Sequence, residues 1–267
     1  MNRYLFLGLI FFAGCVTVNN NQTAKYLKSN IVVDGKLYTS VWMQRAAEYK
    51  ALCAQAYNIA AFRLEQYIQN EKSTKPFAII TDIDETFLDN SPNSVHQALQ
   101  GKDFEQSAWD EWVNKAAADT VVGALNFFQF AASKNVTVFY ITNRNEKNAA
   151  ATLKNLQKFH FPDADKAHLL VMTNGSSKEA RRLQIEKDYD VALFLGDNLG
   201  DFSSLFDKKT EAERTANVLN NEALFGKKFI ILPNPNYGDW EGAMYHYNYK
   251  LSPEQKDSIF KANARTY

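Results

Sequence analysis

A short apolar segment that ends in two carboxylates constrains the fold of this chain most strongly. Phe77 to Ile80 has the composition of a buried parallel strand, and Asp82 and Asp84 follow it closely. In open parallel sheets, ligands gather at the carboxyl ends of the strands. Neighbouring carboxylates repel each other unless a cation or a shared proton relieves them, so the pair indicates a divalent-metal site with oxygen ligands. The alternative is a turn in which both aspartates act as caps.

Polar groups also follow other apolar segments of the chain. The remaining predicted strands are Val136 to Ile141, Leu169 to Met172, Val191 to Leu195 and Phe229 to Leu232. Thr142 and Asn143 follow the first of these, Lys178 follows the second, and Asp197 and Asp201 follow the third. The carboxyl ends of parallel strands meet at one edge of a sheet, so this ordered set of polar groups is expected at a single site.

Amphipathic segments of helical length alternate with these strands. They are Val41 to Ile68, Val122 to Ser133, Glu146 to Phe159 and Lys178 to Lys187. The alternation predicts an α/β fold, a Rossmann-like parallel sheet flanked by helices with right-handed crossovers. The segment from about 88 to 120 interrupts this alternation of strands and helices. With the N-terminal helix, it predicts a smaller, mainly helical cap over the sheet edge.

In this order, the motifs resemble those of the haloacid dehalogenase (HAD) superfamily. The four motifs stand here as Asp82-Ile83-Asp84-Glu85-Thr86, Thr142, Lys178 and Gly196-Asp197-Asn198-Leu199-Gly200-Asp201. The longer strings IITDIDETFLDNS, which begins at Ile79, and LFLGDNLGDF, which begins at Leu193, resemble the class C acid phosphatases, a bacterial lipoprotein branch of that superfamily. The resemblance covers nearly the whole chain after its first residues and implies a phosphomonoesterase.

The resemblance implies a role for each acid. Asp82 would attack phosphorus and form an aspartyl-phosphate, and Asp84 would act as general acid and then as general base. Mg²⁺ would be bound by the Asp82 carboxylate, the Asp84 main-chain carbonyl and the Asp197 carboxylate, with Asp201 in the surrounding layer. A general acid at the position of Asp84 favours a phosphatase or phosphomutase over other members of the superfamily.

Three polar residues are expected to bind the transferring phosphoryl group. Thr142 and Asn143 can donate hydrogen bonds to it, and Lys178 would neutralise its charge. Arg181 and Arg182 are rival cations for the position of Lys178. A solvated helix lysine is the alternative interpretation of Lys178.

Aromatic residues near the predicted site suggest a nucleotide substrate. Trp109 lies in the predicted cap and Tyr237 follows the last predicted strand, and their rings could stack on a nucleobase. Ordinary packing in the cap is the alternative. The expected substrate is a nucleoside 5′-monophosphate. A broad non-nucleotide acid phosphatase and a non-catalytic ligand-binding surface lipoprotein remain alternatives, and the preferred base, the pH optimum and the oligomeric state stay open.

The N-terminal residues predict an envelope location. Residues 1–14 combine a short positive segment, an apolar stretch too short to span a bilayer, and small residues before Cys15. They resemble a lipoprotein signal, which implies lipidation of Cys15, a tether over 15–30 and a catalytic domain over 31–267. Val16 in place of an aspartate after the cysteine favours delivery to the outer membrane if the organism is Gram-negative. An ordinary secretory peptide cut elsewhere is the alternative.

The composition argues against several other classes of protein and site. The 267 residues include 30 basic and 30 acidic side chains, so nothing requires a nucleic-acid polymer as partner. The four histidines are scattered without ligand spacing, which argues against a zinc site. If Cys15 carries lipid, Cys53 has no disulfide partner, and its helical stripe of apolar neighbours predicts core packing rather than a reactive thiol.

Overall fold

A five-stranded parallel sheet forms the centre of the protein in a computed structural model that describes residues 29–267. The strand order is β5-β4-β1-β6-β7, and every neighbouring pair is parallel. A separate antiparallel pair, β2 with β3, lies outside this sheet. The strands are β1 (Phe77–Thr81), β2 (Leu88–Asp89), β3 (Asp119–Thr120), β4 (Thr137–Asn145), β5 (Leu169–Met172), β6 (Asp190–Gly196) and β7 (Phe229–Ile231). The predicted α/β class is confirmed, and β1 occupies the middle of the sheet.

The described residues contain ten α-helices. They are α1 (Ile31–Arg45), α2 (Ala47–Asn70), α3 (Ser91–Leu99), α4 (Gln106–Asn114), α5 (Ala124–Ser133), α6 (Ala149–Lys158), α7 (Glu179–Glu186), α8 (Glu211–Asn220), α9 (Asp239–Met244) and α10 (Pro253–Asn263). The segment between β2 and β3, predicted to belong to a cap, contains α3 and α4, and α1 packs against α3. We refer to the segment from β2 to β3 as the cap, and its role as a cover of the site stays a prediction. None of the helices between residues 29 and 267 has both the length and the apolar character needed to cross a membrane.

The N-terminal helix differs from the single element predicted over Val41 to Ile68. It begins earlier, at Ile31, because the Asn30 side chain accepts hydrogen bonds from two main-chain N–H groups of the first turn. It is also interrupted at Ala46, whose backbone is extended (φ −71°, ψ 130°). The apolar stripe continues across this break, where the rings of Trp42 and Tyr49 pack edge to face at 5.3 Å. Hydrophobic periodicity alone therefore could not reveal two helices.

Strand β4 also extends beyond the predicted end at Ile141. It runs to Asn145, so Thr142 and Asn143 lie within the strand rather than after it. Its pairing with β5 is irregular between Ile141 and Asn145. The last residues of β4 are polar, so a prediction based on apolar segments ended the strand too early.

The segment that follows β1 is anchored in the core. Phe87 is fully buried and packs against Phe161 with ring centroids 4.8 Å apart. Fully burying a side chain of this kind contributes roughly 1.5–3 kcal/mol. From the other side, the Tyr57 hydroxyl of α2 donates to the Thr86 carbonyl at 2.7 Å. The loop that carries Asp82 and Asp84 is therefore fixed at its far end by core packing and a buried hydrogen bond.

Cys53 belongs to α2 and lies in the hydrophobic core. It has no exposed surface, and burial raises the pKa of its thiol to about 11. A buried thiol with a raised pKa carries little thiolate at neutral pH, which agrees with core packing rather than reactivity.

Candidate active site

Asp82 continues the sheet for one residue beyond β1. Its main-chain N–H donates to the Leu195 carbonyl of β6 at 2.9 Å, and its side chain is buried. The chain then turns sharply at Glu85, which adopts the left-handed φ of 55° that is uncommon outside glycine. The Glu85 carboxylate accepts hydrogen bonds from the main-chain N–H of Asn90 at 2.7 Å and from the Tyr237 hydroxyl. These bonds hold the turn that places Asp82 and Asp84 at the sheet edge.

Three carboxylates converge at this edge. Asp82, Asp197 and Asp201 each offer an oxygen, and these oxygens lie within 4.8 Å of one another. Asp197 accepts hydrogen bonds from the amide of Asn234 at 2.7 Å and from the hydroxyl of Thr86 at 3.2 Å. Thr86 also lies 3.3 Å from Asp82. Neither Asn234 nor Thr86 was predicted as a site residue from the sequence, although Thr86 lies within the first motif.

Asp201 is held by groups of the chain on both of its oxygens. One oxygen accepts from the Asn198 main-chain N–H at 2.9 Å, and the other from the Lys178 ammonium at 2.7 Å. A Cβ added to Gly196 would overlap the Asp201 side chain, so only glycine fits there. Asp201 is also one of the three converging carboxylates, so its predicted place in the layer around the metal ligands stays a prediction.

Lys178 is the cation at the centre of the site. Its buried ammonium contacts both Asp82 and Asp201. Burial opposes its charge, but the two carboxylates raise its pKa above the ordinary value for lysine. The rival cations are engaged elsewhere: Arg181 donates to the Thr142 carbonyl at 2.7 Å, and Arg182 donates to the Gly200 carbonyl at 2.7 Å.

The acidic cluster carries more negative charge than the chain neutralises. Burial raises the pKa of Asp82 to about 7, and the attraction of Lys178 is offset by repulsion from Asp201 and Asp84. Burial and the same kind of repulsion raise the pKa of Asp197 well above its usual range. Oxygen ligands with uncompensated negative charge suit a hard divalent cation. The residues present therefore fit a divalent metal.

The Asp84 side chain is directed away from this cluster. Its carboxylate forms a salt bridge with the buried guanidinium of Arg144 at 2.7 Å. It also accepts hydrogen bonds from the Asn90 amide at 2.9 Å and from the Thr142 hydroxyl at 3.2 Å. The contacts of Arg144 and Asn90 with Asp84 were not predicted from the sequence. The position of Arg144, two residues after Thr142, is the signal that could have indicated the first.

Asn143 differs from Thr142 in its surroundings. Thr142 is fully buried, whereas Asn143 is exposed. The Asn143 amide donates to the Ser176 carbonyl at 2.9 Å, and its oxygen accepts from Arg181 at 2.8 Å. These bonds join β4 to the segment that precedes Lys178. The predicted hydrogen bond from Asn143 to a phosphoryl group stays a prediction.

The two aromatic candidates border the residues around Asp84. The Trp109 ring lies 5.7 Å from the Arg144 guanidinium, and Tyr237 bonds to Glu85 through its hydroxyl. Both side chains are half-buried. Their predicted role as a nucleobase platform stays a prediction. The predicted lipidation site, Cys15, lies outside the described residues.

Comparisons with known proteins agree with this geometry. The model of the HAD superfamily, subfamily IIIB (acid phosphatase), matches residues 13–240. A solved structure of the class C acid phosphatase from Bacillus anthracis is 41% identical, with a TM-score of 0.85, and the match covers 88% of this chain and 99% of that one. A second structure, of the same enzyme with tungstate bound, has the same identity and TM-score and is covered to 98%.

More distant relatives are found among plant proteins. Acid phosphatase 1 of Solanum lycopersicum is 27% identical over 131 residues, which are 46% of this chain. That match spans only 50% of the tomato protein's length. The stem 31 kDa glycoprotein of Glycine max is 24% identical over 197 residues, which are 59% of this chain and 78% of the soybean protein.

Proposed function

Because the chain belongs to the subfamily IIIB acid phosphatases of the HAD superfamily, we propose that it is a Mg²⁺-dependent phosphomonoesterase acting on nucleoside 5′-monophosphates. The observation that carries the proposal is the pair of acids after β1. Asp82 faces Lys178 and the acidic cluster, whereas Asp84 is held apart from it by Arg144. Two carboxylates in different environments can serve as nucleophile and as acid or base in one reaction.

In the proposed reaction an oxygen of Asp82 attacks phosphorus, and the bond from phosphorus to the ester oxygen breaks. Asp84 gives its proton to the departing alkoxide, which leaves as the alcohol. Asp84, now a carboxylate, takes a proton from the water that attacks the aspartyl-phosphate. Inorganic phosphate is released, and Asp82 is restored as a carboxylate.

The neighbouring residues would orient and neutralise the phosphoryl group. Lys178 supplies a buried positive charge, and Thr142 supplies a hydroxyl beside Asp84. Asp82, Asp197 and the main-chain carbonyl of Asp84 would hold Mg²⁺, which when bound neutralises and orients the phosphoryl oxygens. The tungstate bound to the Bacillus anthracis relative supports an oxyanion site here, since tungstate is a tetrahedral oxyanion like phosphate.

Phosphate release tests this proposal. AMP, nicotinamide mononucleotide and a small aryl phosphate are each incubated with the protein in Mg²⁺ and in chelator, in parallel with Asp82→Asn. We expect metal-dependent turnover by the parent protein and a loss of at least about 10³-fold in the variant, because the nucleophile is removed. Equal turnover by Asp82→Asn would refute the role of Asp82. No turnover of any substrate, with metal still bound, would favour a ligand-binding lipoprotein without activity.

A broad non-nucleotide phosphatase is the nearest rival. Trp109 in the cap and Tyr237 beside Glu85 border the acids, which supports a platform for a nucleobase. Trp109→Ala should therefore raise KM for AMP much more than KM for the aryl phosphate. The binding free energy lost for AMP should be roughly the 1–3 kcal/mol typical of a base stacked on an aromatic ring. Equal changes in both KM values would favour the broad phosphatase.

We also propose that the protein is anchored in the cell envelope through lipid on Cys15, and in the outer membrane if the organism is Gram-negative. The support is the signal-like composition of residues 1–14 and the small residues before Cys15. Durable anchoring needs more than one acyl chain, so mass spectrometry should find a multiply acylated N-terminal cysteine. An unmodified N-terminus generated by cleavage at another position would indicate an ordinary secretory peptide.

A further inference from the structure

The Asp84 carboxylate is held asymmetrically by the protein. Its Oδ1 accepts short hydrogen bonds from Arg144 Nη2 at 2.7 Å, Asn90 Nδ2 at 2.9 Å and Arg144 Nε at 3.0 Å. Its Oδ2 has only longer contacts, to Thr142 Oγ1 at 3.2 Å and to Arg144 Nε at 3.3 Å. The two oxygens of this carboxylate are therefore not equivalent.

This asymmetry determines which oxygen can carry a proton. Guanidinium and amide nitrogens donate hydrogen bonds and cannot accept them. A proton on Oδ1 would face these N–H groups and displace at least one of them. Oδ2 has only the longer contacts, with Arg144 Nε and with a hydroxyl that can accept as well as donate. Oδ2 is therefore the oxygen that can face a substrate with the smaller loss of hydrogen bonding.

The residues that hold Oδ1 are themselves held by the cap. Asn90 is 1% exposed, and its amide oxygen accepts from the indole N–H of Trp112 at 2.8 Å. Arg144 is 2% exposed, and it lies against the ring of Trp109. Both tryptophans belong to helix α4. The cap thus contacts each of the two residues that fix Asp84.

We propose that Asn90 and Arg144 are positioning residues that keep Oδ2 of Asp84 directed at the leaving group, and that helix α4 maintains this arrangement through Trp112 and Trp109. The inference rests on the proposed role of Asp84 as general acid. It adds a function for the cap tryptophans beyond substrate contact, because proton delivery then depends on how helix α4 is seated.

Leaving-group dependence tests the proposal. A good leaving group such as a nitrophenolate departs without a proton, whereas phenolate and alkoxide need one. The measured quantity is kcat/KM for a series of para-substituted phenyl phosphates, from phenyl to nitrophenyl. It reports the steps up to phosphoryl transfer to Asp82, so later hydrolysis of the aspartyl-phosphate does not enter. The proteins compared are the parent, Asp84→Asn, Arg144→Met, Asn90→Leu and Trp112→Phe, with folding checked by circular dichroism.

We expect Arg144→Met and Asn90→Leu to steepen the dependence of kcat/KM on the leaving group, as Asp84→Asn does. For Arg144→Met, kcat/KM should fall about 10²-fold on phenyl phosphate and less than about 5-fold on nitrophenyl phosphate, since general acid catalysis contributes 10²–10⁴-fold. Trp112→Phe, which removes only the indole N–H, should give a smaller change of the same kind. Arg214→Met removes another buried guanidinium, which bonds to the Phe206 carbonyl, and it should not alter the leaving-group dependence.

The outcomes separate this proposal from the function on which it rests. If Asp84→Asn does not steepen the leaving-group dependence, Asp84 is not the general acid, and both proposals are overturned. Alternatively, Asp84→Asn steepens the leaving-group dependence while Arg144→Met and Asn90→Leu lower kcat/KM equally for all substrates. In that case Arg144 and Asn90 are merely structural, and only this inference fails. If Arg144→Met does not fold, the leaving-group dependence of Arg144→Lys and Trp112→Phe tests the proposal instead. Each of these variants removes only some of the hydrogen bonds that hold Asp84 or Asn90.

Discussion

Asp201 occupies the space in which any residue other than glycine at position 196 would carry its Cβ. Gly196 ends β6, and Asp201 closes the short turn that follows. The close approach lets one Asp201 oxygen accept from the Asn198 N–H while the other holds Lys178. The position of the central ammonium thus depends on the absence of a single methyl group.

Gly196→Ala should therefore displace Asp201 and, with it, Lys178. We expect turnover and the apparent affinity for Mg²⁺ each to fall about 10- to 100-fold, as is typical when a residue that supports the metal ligands is disturbed. Steady-state kinetics against Mg²⁺ concentration measures both quantities. Gly35→Ala is the matched control, because its Cβ meets nothing within 4 Å and it lies in α1. Its activity should be unchanged and its stability should rise by up to about 1 kcal/mol. Parental kinetics for Gly196→Ala would contradict this account of the turn.

The cap is fastened to the two terminal helices through one carboxylate. Asp103, in the segment between α3 and α4, forms salt bridges with Lys36 of α1 and with Lys256 of α10, the latter at 2.5 Å. All three side chains are nearly buried. Removing the charge of Asp103 takes away the carboxylate that both ammonium ions contact, although the buried Glu241 still attracts them. This costs more than the loss of an exposed ion pair.

Asp103→Asn should lower the free energy of unfolding by about 1–3 kcal/mol at neutral pH, because two charged hydrogen bonds are weakened. Urea unfolding followed by circular dichroism measures the change. Glu111→Gln is the control, since the Glu111 pair with Lys115 is largely exposed and its loss should leave the midpoint unchanged. Equal midpoints for Asp103→Asn and the parent would show that this cluster does not hold the cap.

The same carboxylate makes stability depend on pH. Burial opposes its ionisation, but Lys36 and Lys256 lower the pKa of Asp103 below its ordinary value. A depressed pKa in the folded state gives stability that is complete above the unfolded value of about 3.9 and is lost as pH falls below it. The stability difference between the parent and Asp103→Asn should therefore shrink as the pH of the urea titration is lowered from 5 towards 3. A difference that stays constant over this range would exclude Asp103 as its source.

The whole molecule places distant parts of the chain at one edge of its sheet, and this could be predicted from sequence. Asp82, Lys178 and Asp197 each follow an apolar strand, and parallel strands end at the same edge. The break at Ala46 could not be predicted, because the apolar stripe runs through it. The contact of Arg144 with Asp84 was also missed, because β4 was predicted to end at Ile141. The contact of Asn90 depends on the turn after β1, which the sequence pattern did not reveal.

Trapping the covalent intermediate tests the central claim that Asp82 is the nucleophile. Asp84→Asn should still be phosphorylated by nitrophenyl phosphate, whose leaving group needs no proton, but it should hydrolyse the aspartyl-phosphate slowly because the general base is lost. Rapid acid quench followed by peptide mass spectrometry locates the phosphoryl group. We predict nearly stoichiometric phosphorylation of Asp82, and none in the double variant that also carries Asp82→Asn. Continued release of nitrophenol with no phosphoryl group on Asp82, or with that group on another residue, would contradict the account.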